Sequence, residues 1–186
     1  MVNRVSALEG HYNPRRYGKE GSVGVTMTEV RDLTLYQVAG WVDTMAAVGK
    51  KAAKTVGAKD APGPCSASRG SSGALLRVEP MKWWVYGAEA PALKEDEGAT
   101  LDMSHSRTHI RLTGQDVTTL LNRHLPINLS DNAFPIGAVA STAFHHVGVT
   151  LWHSDDGYEL FVPRGFALSL WEMLEEGAAQ FGAEIV

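Results

Sequence analysis

The stretch from Thr108 to the C-terminus constrains the fold most, because its hydrophobic period changes along the chain in a definite order. Thr108, Ile110 and Leu112 alternate with polar residues, as in a half-buried strand. The following segment carries its leucines at helical spacing and ends at Pro126, and it reads QDVTTLLNRHLP. The pattern therefore predicts a strand followed by a helix.

The remaining C-terminal pattern predicts two strands, a helix and a last strand. The stretch GAVASTAFHHVGVTLWHS indicates one long strand or a bent pair, and SDDG (154–157) is typical of a hairpin turn before the strand YELFV. FALSLWEMLEEGAAQFG is an amphipathic helix, and AEIV can add an edge strand. The resulting order, β-α-β-β-α-β, is that of a ferredoxin-like split βαβ unit.

The first half of the chain predicts a smaller β-α-β unit. DLTLYQVAG is a strand pattern, and the helix after it stops at Gly57. A loop follows, and then one or two strands interrupted at Pro80. We therefore expect an α+β protein of two small packed units, with an N-terminal unit over 28–100 and a C-terminal ferredoxin-like unit over 101–186.

Residues 1–27 differ from the rest because they are poor in aliphatic side chains and rich in Gly, Arg and Tyr. Such a segment cannot bury enough apolar surface to fold alone. The composition predicts an extended arm that is either disordered or laid across a partner.

Composition excludes several classes of protein. The 186 residues carry a formal net charge of -4, which disfavours binding of the whole chain to nucleic acid. No run approaches the roughly 18 apolar residues that a membrane helix needs, so no membrane association is expected. The single cysteine, Cys65, rules out a disulfide within the chain and fits a cytoplasmic location.

Two histidine pairs are candidates for metal ligands. His105 and His109 are four residues apart, which in a strand is a separation of about 13 Å, too far for one metal ion. His145 and His146 are adjacent, so in a strand they point to opposite faces. The sequence predicts no metal site.

Motifs for catalysis and for cofactor binding are also missing from the sequence. It has no G-x-S-x-G nucleophile turn, no G-x-G-x-x-G and no G-x-x-x-x-G-K-[ST], and Cys65 lies in a loop without a neighbouring base. The residues themselves predict no catalytic and no cofactor-binding side chains.

Several ordered blocks nevertheless carry a resemblance to a known family. The longest are DMSHSRTHIRLTG, LLNRHLPINLSDNAFPIGAVASTAFHHVGV and YELFVPRGFALSLWEML. With DLTLYQVAGWVDT and LLRVEPMKWWVYG, they resemble the gamma subunits of heterotetrameric sarcosine oxidases over roughly residues 28 to 182. Those subunits are similar to the folate-binding aminomethyltransferase fold, which includes the T-protein of glycine cleavage.

The resemblance implies a flavin-dependent complex with alpha, beta and delta subunits as partners. Such a complex demethylates sarcosine oxidatively to glycine, passes the methylene group to tetrahydrofolate and forms hydrogen peroxide. FAD, FMN, NAD, tetrahydrofolate and zinc are expected in the other subunits, and none of them in this chain. Two alternatives stay open, namely a subunit of a related N-methyl amino acid dehydrogenase, such as one for N-methylglutamate, and a stand-alone folate-binding protein.

One departure from the wider family bears on catalysis. In the T-protein resemblance, Asn128 of PINL stands where the family has its catalytic aspartate. An amide cannot exchange a proton as a carboxylate does near neutral pH, so this chain is expected to be a structural subunit. Side chains expected to meet other subunits are those of the arm and of one polar strand face: Arg15, Arg16, Tyr17, His105, Arg107, His109 and Arg111.

Overall fold

The computed structural model describes residues 5–186, and this part of the chain divides into two compact units. The first unit combines the N-terminal residues up to 31 with 106–136 and 142–186. The second combines 32–105 with 137–141. These divisions differ from the predicted ranges, because the N-terminal segment and the C-terminal half share one sheet. No helix within 5–186 is both long enough and apolar enough to cross a membrane.

Twelve strands and three α-helices are found in the described range. The strands are β1 (Arg15–Tyr17), β2 (Val25–Val30), β3 (Leu35–Gly40), β4 (Ala67–Arg69), β5 (Ala74–Glu79), β6 (Lys82–Tyr86), β7 (Gly98–Asp102), β8 (Arg107–Thr113), β9 (Val139–Phe144), β10 (Val147–Ser154), β11 (Gly157–Pro163) and β12 (Ala183–Ile185). The helices are α1 (Met45–Val56), α2 (Val117–Leu121) and α3 (Ala167–Ala178). Single 3-10 turns precede and follow α3.

The first unit is built on a seven-stranded sheet in the order β1-β12-β2-β8-β11-β10-β9. Ile110, Leu112 and Leu160 are fully buried on one face. Helix α2 lies on that face, since the Thr118 hydroxyl is 3.4 Å from that of Tyr158, which pairs with Leu112. The alternation that predicted β8 therefore does mark a buried face.

One strand is inserted within the split βαβ order of this sheet, and β1 and β9 extend the sheet at its two ends. In the ferredoxin-like arrangement the last strand would lie beside the first, which is β8 here. Instead β12 pairs in parallel with β2, and β2 pairs with β8. Strand β12 is also not an edge strand, because β1 pairs with its other side. The N-terminal segment thus supplies two strands to the C-terminal sheet.

The arm is packed against its own chain from Leu8 onward. Leu8 is fully buried, and the Tyr12 ring lies 5.5 Å from that of Trp171. Arg15–Tyr17 pair antiparallel with Ala183–Ile185. The prediction that residues 1–27 are either disordered or laid across a partner is corrected for these residues, because backbone pairing with β12 and the burial of Leu8 order them within the chain.

The second unit is a five-stranded sheet in the order β4-β5-β6-β3-β7 with α1 on one face. Val48, Ala52 and Val56 of α1 pack with Val38 and Trp83 of the sheet. Gly49 permits this close approach, because a Cβ there would lie 3.2 Å from the Trp83 ring. The helix ends at Gly57, as predicted, and Gly57 has the left-handed conformation. Strands β4 and β7 were not predicted.

Candidate functional site

A buried polar cluster lies between β8 and β11 in the first unit. His109 pairs with Phe161 and Arg111 with Glu159, which places these four side chains on the same face of the sheet, opposite the face that α2 covers. Both His109 and Glu159 are about 1% exposed. The cluster consists of these two residues together with Arg111 and Ser154.

Glu159 is the centre of the hydrogen bonds in this cluster. His109 Nε2 lies 2.6 Å from Glu159 Oε2. The Arg111 Nε–H and the Ser154 hydroxyl both donate to Glu159 Oε1, at 2.8 and 2.9 Å. The His109 ring also stacks on Phe161, with the ring centroids 4.4 Å apart. Both oxygens of the carboxylate are therefore engaged within the fold.

The electrostatics favour a neutral histidine beside an ionised carboxylate. Burial lowers the pKa of His109 below its ordinary value, and the hydrogen bond and charge of Glu159 oppose that shift only in part. Burial acts to raise the pKa of Glu159, but the hydrogen bonds from His109 and Ser154 and the positive charge of Arg111 lower it overall. The proton then lies on Nε2 of His109, which donates to Glu159.

This arrangement corrects the prediction for His109. The strand pattern predicts one polar face with His105, Arg107, His109 and Arg111 directed at another subunit, but His109 is buried and bonded within its own sheet. Arg111 is partly exposed and bridges the buried carboxylate to the surface. The cluster joins two neighbouring strands, and His109 and Glu159 are both shielded from solvent.

Two of the other predicted interface residues are accessible to different degrees. His105 is exposed in the turn that precedes β8, and it belongs to the second unit. Arg107 is half-buried, and its guanidinium donates to the Ser106 carbonyl at 3.1 Å. Burial lowers the pKa of Arg107. The structure thus brings together His109 and Arg111 but does not join His105 to them.

The arm residues are partly committed to internal contacts. The Arg15 guanidinium donates to the Glu175 carboxylate at 2.9 Å, and the Tyr17 hydroxyl donates to the Glu175 carbonyl at 3.1 Å. Burial, with the nearby charge of Glu175, raises the pKa of Tyr17 to about 12, against an opposing effect of Arg15. Arg15 and Arg16 are exposed and Tyr17 is half-buried. Of the three predicted arm residues, the two arginines are thus the more accessible.

A second histidine contact joins residues that are distant along the sequence. His145 and His146 form the turn between β9 and β10 and are not in a strand, and His145 has a positive φ of 52°. This overturns the argument that the two rings face opposite sides of a strand. His145 Nε2 lies 3.3 Å from Nδ1 of His124, whose ring stacks on Phe144. Burial lowers the pKa of His124, as do His145 and Arg123.

The position that the T-protein resemblance aligns with a catalytic aspartate has a local structural role. Asn128 is exposed, and its side-chain oxygen accepts a hydrogen bond from the Ser130 amide at 3.0 Å. The oxygen of Asn122 accepts one from the Leu129 amide at 3.3 Å. Both amides therefore shape the loop after α2. Within 5–186, no group of three or more His, Cys, Asp or Glu side chains could hold a metal ion.

Solved structures similar to this chain define the class of fold. The chain superposes on a chain of the heterotetrameric sarcosine oxidase from Corynebacterium sp. U-96 in complex with pyrrole 2-carboxylate, with a TM-score of 0.75, 20% identity and coverage of 89% of this chain and 88% of that one. It also matches the glycine cleavage system aminomethyltransferase T from Bartonella henselae, with a TM-score of 0.58, 16% identity and coverage of 88% and 48%. The fold is aminomethyltransferase-like.

Sequence comparison then gives the family. The model of the sarcosine oxidase gamma subunit family matches residues 88–180, which is half of the chain, and the chain belongs to this family. Sarcosine oxidase subunit gamma of Corynebacterium sp. (strain P-1) is 26% identical over 96 residues, which are 51% of this chain and 47% of the relative. The corresponding subunit of Arthrobacter sp is 25% identical over 92 residues, 50% and 45% of the two chains. The matches thus span about half the length of these curated relatives.

Proposed function

We propose that this chain is the structural, non-catalytic gamma subunit of a heterotetrameric, flavin-dependent sarcosine oxidase. In that assembly the alpha, beta and delta subunits carry FAD, FMN, NAD, tetrahydrofolate and zinc. The complex converts sarcosine to glycine, transfers the methylene group to tetrahydrofolate and forms hydrogen peroxide. Membership of the family, together with the likeness to a chain of a heterotetrameric oxidase, supports this function.

The observation that carries the non-catalytic role is the side chain at position 128. A catalytic acid near neutral pH must accept and release a proton, which an amide cannot do. Asn128 instead accepts the backbone hydrogen bond of Ser130. The ionisable cluster of His109 and Glu159 does not replace it, because both side chains are buried in the sheet.

Native mass spectrometry of the complex purified through this chain tests the proposal. We expect one copy of the chain with one copy each of three other chains, and a flavin absorbance spectrum from the same sample. Recovery of this chain from its own cell as a colourless monomer, with no other chain co-purifying, would contradict the subunit function. Oxidation of N-methylglutamate in preference to sarcosine by the purified complex would contradict the proposed substrate while leaving the subunit role in place.

A separate titration addresses folate. The isolated chain is expected to show no tight binding of tetrahydrofolate by isothermal titration calorimetry. Tight binding would support a stand-alone folate-binding protein instead.

A further inference from the structure

Strand β7 is an edge strand with an unusual degree of exposure. It lies at one end of the five-stranded sheet, beside β3. After Gly98, which is buried, all of its residues are exposed, on both faces of the sheet. An edge strand that is open on both faces is a template for pairing with another extended chain.

The backbone hydrogen bonds show which groups of β7 point outward. The Trp41 amide donates to the Glu97 carbonyl at 3.4 Å, and the Met103 amide donates to the Leu35 carbonyl at 2.8 Å. In an antiparallel pair such bonds recur at every second residue, so residues 97, 99, 101 and 103 face β3. The amide and carbonyl of Thr100 and the carbonyl of Gly98 therefore point away from the sheet.

Apolar side chains lie exposed beside this edge. Leu101 is 55% exposed in the strand itself. Trp41 and Val42 directly follow β3, at the end of β3 that lies beside the start of β7, and they are 47% and 76% exposed. Because the Trp41 amide is bonded to Glu97, this apolar pair adjoins the start of β7. An added strand would cover backbone and apolar surface together.

The charges next to the edge select the kind of segment that fits. Glu95 and Asp96 are exposed immediately before β7, and Asp102 ends the strand. The Glu97 carboxylate is already paired with Lys51 at 2.6 Å, and Lys94 is the basic residue of the same turn. The surroundings of the edge are therefore acidic, which favours a basic segment.

We propose that the outer edge of β7 binds an extended, basic segment of a partner subunit, which adds to the sheet as a further strand beside Thr100. The inference rests on the proposed function, because it requires that the chain be a subunit of a larger assembly. It names the contact through which the chain joins that assembly: main-chain hydrogen bonds to Gly98 and Thr100, with Leu101 and Trp41 covered.

Hydrogen exchange in the assembled complex is the first test. The Thr100 amide is expected to exchange rapidly in the isolated chain and at least about tenfold more slowly in the complex, since it gains a main-chain acceptor. Its exchange should change more than that of Leu101, whose amide already faces β3. Equal exchange of Thr100 in the two states would overturn the proposal.

Variants test the same contact by affinity. Thr100→Pro removes the outward amide and keeps the inward pairing with β3, because proline is tolerated at the outward positions of an edge strand. We expect it to weaken assembly by about tenfold or more, while Thr100→Ala, which keeps the amide, has little effect. Thermal unfolding checks that both variants are folded.

A charge variant keeps the proposal testable if Thr100→Pro does not fold. Glu95→Lys with Asp96→Lys leaves the backbone unchanged and should weaken assembly, most strongly at low salt. The matched control is Glu172→Lys with Glu176→Lys, which changes the net charge equally on exposed positions of α3. Equal effects of the two pairs would overturn the charge selection.

The outcomes separate this inference from the proposed function. The unmodified chain could enter a four-chain complex while the hydrogen exchange of β7 stays the same on assembly and Thr100→Pro does not weaken assembly. In that case the subunit function stands and the edge contact is wrong. If no complex forms, the proposed function fails and the inference fails with it. A dimer of the isolated chain that protects Thr100 would identify a second copy as the occupant and overturn the proposal.

Discussion

His109 Nε2 and Glu159 Oε2 lie 2.6 Å apart on neighbouring strands, and both side chains are about 1% exposed. Fifty residues of sequence separate them, so only the pairing of β8 with β11 brings them together. Arg111 and Ser154 complete the hydrogen bonds of the carboxylate. A buried charge satisfied in this way fixes the strand register, because a shift of one residue would leave the carboxylate without its partners.

Removal of the Glu159 carboxylate should destabilise the first unit strongly. We expect Glu159→Ala to lower the free energy of unfolding by about 3–5 kcal/mol, since Arg111 and His109 lose their buried partner. Glu159→Gln keeps an acceptor oxygen and should lower it by about 1–3 kcal/mol. Chemical denaturation measures both. The exposed Glu172→Gln is the control and should change the value by less than about 0.5 kcal/mol. Equal effects at the two positions would contradict the structural role.

The cluster should also make stability depend on pH. Because burial lowers the folded pKa of His109 below 6.5, the unfolded state takes up its proton first, and stability falls as the pH drops below about 6.5. The lowered pKa of Glu159 adds a second loss as the pH falls further, below its ordinary value of 4.5. Above both values the stabilisation is fully present.

His109→Gln is the variant that tests this pH dependence. It should flatten the decline between pH 7 and pH 5, where one histidine contributes at most about 1.4 kcal/mol per pH unit. The slope should not vanish, because burial also lowers the pKa of His124. Urea denaturation at a series of pH values measures the slope. An unchanged slope would show that the pKa of His109 is the same in the folded and unfolded states.

Two glycines of the N-terminal segment offer a matched test of its packing. Gly18 and Gly21 both have positive φ, but a Cβ on Gly18 would lie 2.1 Å from the Ala179 carbonyl oxygen, whereas a Cβ on Gly21 meets nothing within 4 Å. Gly21→Ala should therefore cost about 1 kcal/mol of unfolding free energy, and Gly18→Ala about 3 kcal/mol or more. Thermal or chemical unfolding measures the difference. Equal costs would mean that this segment does not pack against residue 179.

The loop at Asn128 should tolerate a carboxylate without acquiring folate chemistry. In Asn128→Asp the carboxylate oxygen can still accept the Ser130 amide, so the free energy of unfolding should change by no more than about 0.5 kcal/mol. Calorimetric titration should detect no tight tetrahydrofolate binding by the variant. Tight binding by the variant would show that asparagine in place of aspartate at position 128 is what prevents folate binding by this chain.

Local pattern was sufficient for elements whose signals lie within a few residues. The period of α1 and the left-handed Gly57 at its end, the alternation of β8 and the hairpin between β10 and β11 all follow from side-chain spacing and turn chemistry. Strand β7 escaped prediction because its exposed residues show no buried alternation. The resemblance carried by the C-terminal blocks, which predicted the family, is likewise a property of the sequence alone.

The tertiary structure decided what local pattern cannot express. Alternation placed His109 on the face of β8 opposite Ile110, but His109 is buried as well, and a two-residue period cannot distinguish water from a partner such as Glu159. The insertion of β2 between β12 and β8 is also non-local. Strands β2 and β12 are more than 150 residues apart along the chain, yet they are hydrogen-bonded neighbours in the sheet. Sequence alone determined the family and those elements with a clear local pattern, such as α1 and β8; chain topology decided which residues meet, because contacts between distant strands depend on how the whole chain folds.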